Sequence, residues 1–300
     1  MSLGRELSDE FKSRYAAYHP YGEVELFRTL IESFYALRSY DITEIHGKRT
    51  IVQYKEDQGW FTQPARCELA DIFFLVYSLK KKEARYFVMQ NKIQPKRNCT
   101  QIHANLIQYE LLATKKFFEY VKTHTTSHLL DSAINDSVCV YGNFYNTAPG
   151  VMNEMSVFTA SKLTFKGRTP SAVTRRYPVR EIEYLGVIDD VASMRILPKD
   201  FEGTDDLKKF GDLTEEMYIG EPLNGVVLND INEMLLTLPD ERYVNNMGKT
   251  VEELREEMRR LGASLDIPAG QTDEAGKSGE LIHRCKKIII INVDKNEPNN

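Results

Sequence analysis

Long apolar runs are missing from this sequence. No stretch of 18 consecutive apolar residues occurs in its 300, so no membrane-spanning helix is expected. The opening MSLGRELSDEF lacks the apolar core of a secretory signal, which points away from secretion. Cysteine is sparse: Cys67, Cys99, Cys139 and Cys285 stand far apart with no CxxC pair. That spacing disfavours a zinc ribbon or a disulfide scaffold and suits a reducing, cytoplasmic compartment. An excess of positive charge is also lacking. The net charge of −5 gives no global attraction to nucleic acid, so phosphate binding would rest on local clusters of Lys and Arg. Several enzyme signatures are absent: GxxxxGK(S/T), GxSxG, HExxH, and GxGxxG after a strand. His124 and His128 have helical spacing, but the Thr-Thr-Ser between them is poor helix material and no third ligand is near, so zinc is not expected. There is no internal repeat.

What remains is an ordinary globular composition, 42% hydrophobic and 28% charged, long enough for one large domain or two modest ones. Residues 20–39 carry Leu26, Phe27, Leu30, Ile31 and Phe34 at helical spacing. Two strands, Asp41–His46 and Arg49–Tyr54, would meet at a hairpin turn on Gly47-Lys48. Asp71–Tyr77 and Arg85–Lys92 read as two further strands around the charged turn SLKKKEA. DIFFLVY, the first of them, is apolar enough to be buried on both faces. Residues 104–122 read as a helix with Ile107, Leu111 and Phe118 on one stripe. Strands are expected at Val138–Tyr141 and Ser156–Phe165, and helices within Leu223–Leu238 and Thr250–Leu261. Residues 262–280 read as a mobile loop, and KKIIIINV at 286–293 as a late strand returning to a sheet. Tyr141 and Tyr145 read as core or loop anchors. The fold class expected is mixed α/β (α+β): a central mixed sheet flanked by helices. Residues 1–202 would form the core, and 203–300 a C-terminal extension completing it or packing on it.

The chemistry concentrates at one end of the 71–92 hairpin. If the turn centres between Lys81 and Lys82, Asp71 faces Lys92 and Phe73 faces Gln90, all on one face because strand side chains alternate. A slip of two residues would oppose Asp71 to Gln90 and keep the convergence, whereas a slip of one would destroy it. A carboxylate, an amide and an ammonium gathered at the end of an apolar hairpin call for a partner, since an unpaired buried charge is costly. Mg²⁺ (or Mn²⁺) would provide one, taking oxygen from Asp71 and Gln90. Lys92 would hold the attacking water and offset charge developing on a phosphate. Glu68 stands three residues before Asp71, so it must lie ahead of the strand or on a bulge, from where it would complete the metal shell. On this reading Asp71→Asn, freed of an unpaired carboxylate, gains thermal stability. A plainer alternative has Asp71 capping a strand, Gln90 satisfying a backbone group and Lys92 solvated at an edge.

Glu68-Leu-Ala-Asp71, an apolar strand and then Gln90-Asn-Lys92 resemble the PD-(D/E)XK nuclease superfamily, which includes type II restriction endonucleases and DNA-repair nucleases. Ala70 stands where Pro is usual, and Gln90 where Asp or Glu is usual. The Gln form is similar to that of members from bacterial and phage-defence proteins. Gln108-Tyr-Glu-Leu-Leu, with Phe117-Phe118 after it, resembles the helix that follows the QxK strand. The resemblance spans roughly residues 20–125. It implies a restriction-endonuclease-like fold and Mg²⁺-dependent hydrolysis of DNA, with double-stranded DNA as partner and a role in restriction or phage defence; a homodimer would suit cleavage of both strands. Lys96 and Arg97, just past the site, and Lys115 and Lys116 on the next helix are the expected phosphate contacts, with Arg175-Arg176 a later basic pair. The Lys80–Lys82 run reads better as a solvated hairpin tip. The alternative function is an inactive nuclease-fold protein that binds nucleic acid or assembles with partners, because a neutral Gln90 removes one negative charge from the metal shell.

Overall fold

The computed structural model describes residues 2–37, 39–41, 51–55, 64–94, 97–121, 126–127, 130, 132–165, 179–185, 201–236, 238–244, 248–267 and 285–294. In chain order the elements begin with α1 (Leu3–Tyr18), α2 (Glu23–Tyr35), β1 (Ser39–Asp41), β2 (Ile51–Tyr54), β3 (Ala65–Glu68), β4 (Ala70–Ser78) and β5 (Glu83–Gln94). Next come β6 (Gln101–Asn105), α3 (Leu106–Thr114), β7 (Phe118–Tyr120), β8 (Thr126–Ser127), β9 (Cys139–Tyr145), β10 (Glu154–Thr159), β11 (Leu163–Phe165) and β12 (Val179–Tyr184). The chain closes with β13 (Gly203–Thr204), α4 (Leu207–Glu215), β14 (Glu221–Pro222), α5 (Gly225–Leu236), α6 (Val251–Ser264) and β15 (Cys285–Asn292).

The apolar strand predicted at DIFFLVY is β4, buried along its whole length. It lies inside a mixed sheet of order β1-β15-β4-β5-β9-β10-β13, with β14 also pairing β5. β4 and β5 are antiparallel; β15 runs parallel to β4, and β9 parallel to β5. Parallel neighbours need a crossover, and α3 lies within the connection from β5 to β9. Side chains alternate along β4. Ile72, Phe74 and Val76 enter a core with α1, α2 and α4. Phe73, Leu75 and Tyr77 enter another with α3, α5, α6 and two smaller sheets, β11-β12-β6 and β3-β2-β7-β8. The expected arrangement, a mixed α+β fold with a sheet between helical layers, is the one observed. The helices read at 20–39 and 104–122 are α2 and α3, on opposite faces.

Several expectations are corrected. Of the hairpin expected at Gly47-Lys48, Asp41 lies in β1, which joins β15, and Ile51–Tyr54 form β2, which joins β3 in a different sheet. Residues 42–50 themselves lie outside the described residues. The helix of residues 104–122 ends at Thr114, because Lys115 turns left-handed (φ 52°). The chain then alternates as strand β7, burying Phe118 and leaving Phe117 exposed. The hairpin register is the two-residue alternative, with Ser78 opposite Glu83 and Ile72 opposite Met89, so Asp71 faces Gln90 rather than Lys92. Ser156–Phe165 is not one strand: a 3-10 turn at Ala160–Lys162 splits it into β10 and β11. Residues 203–294 contribute β13, β14 and β15 to the same sheet that the earlier residues build. The loop read at 262–280 falls largely outside the described residues, as do His124, His128 and Arg175-Arg176.

Helix α1 was not anticipated. Ser2 caps it by accepting from the Arg5 N–H, and Leu3, Leu7 and Phe11 supply its buried stripe. It crosses α4 where Gly4 and Gly211 meet: a Cβ on Gly4 would collide with the Lys208 carbonyl, and one on Gly211 with the Gly4 backbone. All four cysteines are unbridged. Among the described residues no helix is long and apolar enough to cross a membrane.

Candidate functional site

Four neighbouring strands align four polar side chains in one row. Register places Gln90 of β5 beside Tyr141 of β9. Cys285 pairs with Ala70 and Lys287 with Ile72, which sets Lys286 of β15 beside Asp71 of β4. The antiparallel register of β4 and β5 sets Asp71 beside Gln90. The row Lys286–Asp71–Gln90–Tyr141 thus crosses the sheet on the face that packs against α3. Asp71 and Gln90 are 4% and 2% exposed.

Every Asp71 oxygen is met. Its Oδ1 receives the Lys286 ammonium at 2.7 Å, and its Oδ2 accepts from Gln90 Nε2 at 2.5 Å and from the Asn91 backbone N–H at 2.7 Å. Glu68 enters from above. The chain leaves the β3 sheet at Glu68 and joins the large sheet at Ala70, so Glu68 lies ahead of the strand. Its carboxylate meets the same Lys286 ammonium at 2.9 Å. α3 closes the site from the far side. Asn105 caps that helix by accepting from the Ile107 and Gln108 N–H groups. Gln108 then donates to Gln90 Oε1 at 2.5 Å and to the Glu68 carbonyl at 3.0 Å. Gln90 therefore turns its amide nitrogen toward the carboxylate and its oxygen toward α3.

Electrostatics follow from this packing. Burial alone would pull the Lys286 pKa down. The charge of Asp71 and hydrogen bonds to Asp71 and Glu68 outweigh it and raise the ammonium above the ordinary lysine range. Burial raises the Tyr141 phenol, with the negative charge of Asp71 among the smaller contributors. The Tyr141 hydroxyl has no hydrogen-bond partner among the described residues.

Lys92 lies two residues beyond Gln90, but its amine is taken by Glu23, at 3.3 Å, in the first turn of α2, a helix of the opposite core. The cation touching Asp71 is Lys286 instead. Lys115 bonds the Ala133 carbonyl at 2.9 Å and pairs with Asp136. Lys116 pairs with the buried Glu110 at 3.2 Å. Both of these ammonium groups are taken up inside the fold, in contrast to the phosphate contacts expected of them. Arg97 is exposed, and Lys96 lies outside the described residues. Sequence reading missed Lys286, Glu23 and the bracing role of Gln108. A lysine opening an apolar strand was the one visible signal for Lys286, and nothing in its neighbourhood points to residue 71.

Among the described residues no group of three or more His, Cys, Asp and Glu side chains could hold a metal ion. The oxygen donors gathered here are two carboxylates, the Gln90 oxygen being turned toward α3. Two carboxylate oxygens already converge on one positive centre, so the set fits a hard divalent cation whose remaining ligands would be water and substrate oxygen. The chain matches no family model, no curated protein and no solved structure.

Proposed function

We propose that this chain is a Mg²⁺- or Mn²⁺-dependent nuclease of the PD-(D/E)XK type, hydrolysing phosphodiester bonds of DNA in a restriction or phage-defence role. The observation that carries the reading is the direct contact of Asp71 with Gln90 at the end of a buried antiparallel hairpin, with Glu68 and an ammonium group beside it. Asp71, Glu68 and the Gln90 amide oxygen would hold the cation, which when bound lowers the pKa of a coordinated water and polarises a phosphoryl oxygen. Lys92, two residues beyond Gln90, holds the attacking water and offsets charge that builds on the phosphate. For this, the Lys92 amine leaves Glu23 and the Gln90 amide turns its oxygen away from Gln108. Exposed Arg97, with Lys96, neutralises the flanking backbone.

A plasmid-nicking and linear-duplex assay in Mg²⁺, Mn²⁺ or EDTA, with wild type and Asp71→Asn side by side, tests this. Cleavage is expected only for wild type with metal. A folded wild type that cleaves neither DNA nor RNA with either metal would end the proposal. The alternative, a nuclease scaffold kept for binding or assembly, is favoured by one feature: protein donors already neutralise Asp71. Nucleic-acid binding without cleavage, unchanged by metal, would favour it.

A further inference from the structure

Lys286 has no part in the reaction just proposed, yet it makes the closest charged contacts in the site, at 2.7 Å from Asp71 and 2.9 Å from Glu68. We infer that Lys286 is a tethered cation occupying the place a divalent metal would take between Asp71 and Glu68, so that metal enters only by exchange with its ammonium group. The inference rests on reading the site as a metal-dependent nuclease and adds a control on when that site is loaded.

Mg²⁺ binds oxygen at about 2.0–2.1 Å. A metal touching both carboxylates would lie beside an ammonium that touches the same two groups, and like charges at that separation repel strongly. The hydrogen bonding agrees. In this state Asp71 Oδ2 is covered by two N–H donors, and Gln90 offers its nitrogen, not its oxygen, to the carboxylate. Loading a metal therefore takes two linked changes: Lys286 withdraws, and the Gln90 amide turns over to present oxygen. The second change breaks the bond from Gln108 unless Gln108 also turns, which would release the Glu68 carbonyl.

On the other side of Gln90, the Tyr141 hydroxyl is fully buried and has no partner among the described residues. An unmet buried hydroxyl is costly, and a water brought in with the metal would satisfy it. Lys286 can move without disturbing the core, because its side chain is 33% exposed on a flexible stem. Once displaced, it is free to meet the phosphate of an incoming substrate.

The test is calorimetric titration of Mn²⁺ and Mg²⁺ into wild type, Lys286→Gln and Lys286→Arg, with thermal melts in EDTA and in Mn²⁺. Lys286→Gln is expected to bind Mn²⁺ about tenfold tighter, the equivalent of one lost competing contact of roughly 1.4 kcal/mol. It should melt lower than wild type in EDTA and regain the loss in Mn²⁺. Lys286→Arg keeps the charge and should bind no tighter than wild type. Should Lys286→Gln fail to fold in EDTA, folding restored by Mn²⁺ is expected, and a variant that folds in neither overturns the inference. Equal Mn²⁺ affinity in folded wild type and Lys286→Gln overturns the inference, as does no binding by any variant. Cleavage is scored separately. Tighter metal binding by Lys286→Gln without cleavage by either protein sinks the nuclease reading and leaves the exchange standing. Cleavage by wild type with unaltered metal affinity in the variant does the reverse.

Discussion

Asp71 is the residue on which sequence and structure disagree most usefully. As an unpaired carboxylate awaiting a metal it would destabilise the metal-free protein, and Asp71→Asn would gain stability. The ammonium of Lys286, the amide of Gln90 and the Asn91 N–H reverse that sign. Asp71→Asn is now expected to lose about 1.5–3 kcal/mol in urea melts in EDTA, the range for hydrogen bonds to a charged group, and to lose metal-dependent cleavage as well. A variant as stable as wild type would mean these contacts hold nothing together. Lys92 has a different signature. Its proposed work is on charge developing in the transition state, so Lys92→Ala should slow single-turnover cleavage by about 10²–10³ with little change in DNA affinity. Reversing Lys96 and Arg97 to Glu should instead weaken binding and flatten its salt dependence by about one unit of slope per contact. Binding titrations in Ca²⁺ at several salt concentrations, paired with single-turnover rates in Mg²⁺, separate the two.

At the scale of elements, register decides everything at the site, and a remote residue helps to set it. Asp294 accepts from the Leu79 and Lys80 N–H groups and from the Ser78 hydroxyl, while Ser78 Oγ accepts from the Lys81 N–H. These bonds pin the β4–β5 turn with Ser78 opposite Glu83. The charged run SLKKKEA alone left two same-parity registers open. The other element contact worth testing is the crossing of α1 and α4, where Gly4 and Gly211 allow the backbones to touch. Gly211→Ala is expected to pry the helices apart at a cost of about 1–3 kcal/mol, the usual range for overpacking. A lowered urea midpoint at unchanged slope would register it, and an unaltered midpoint would show that the crossing is slack.

For the whole molecule, the last described strand is a central one. β15 lies between β1 and β4, with Ile288 and Ile290 in one core and Ile289 and Ile291 in the other. Deleting residues 285–300 should abolish cooperative unfolding altogether, because it removes a neighbour from β4 and opens both cores. A second whole-molecule property follows from the buried thiols. Burial pushes the Cys139 pKa from 9.0 to about 12, and raises Cys67 and Cys285 as well. The native state holds these protons while the unfolded chain releases them near 9, so stability is intact at neutral pH and falls as pH rises above about 9. The slope is about 1.4 kcal/mol per pH unit for each thiol. Urea melts at pH 8 and pH 10 should show the loss, and Cys139→Ala should reduce the slope by one thiol's share.

The sequence by itself determined what short-range periodicity can carry. The apolar run of β4, the alternation along β5 and the helical stripes of α2, α5 and α6 were legible because each is set by neighbours a few residues apart. Alternation alone was enough to put Asp71 and Gln90 on one face. Only the tertiary structure decided what Asp71 would meet there. Lys286 lies 215 residues away from it and reaches it because β15 inserts beside β4. Gln108 reaches Gln90 because α3 folds back over the hairpin, and the Lys92 amine goes to α2. Strand order across a sheet depends on how whole elements bury their apolar faces together, and no local period records that choice.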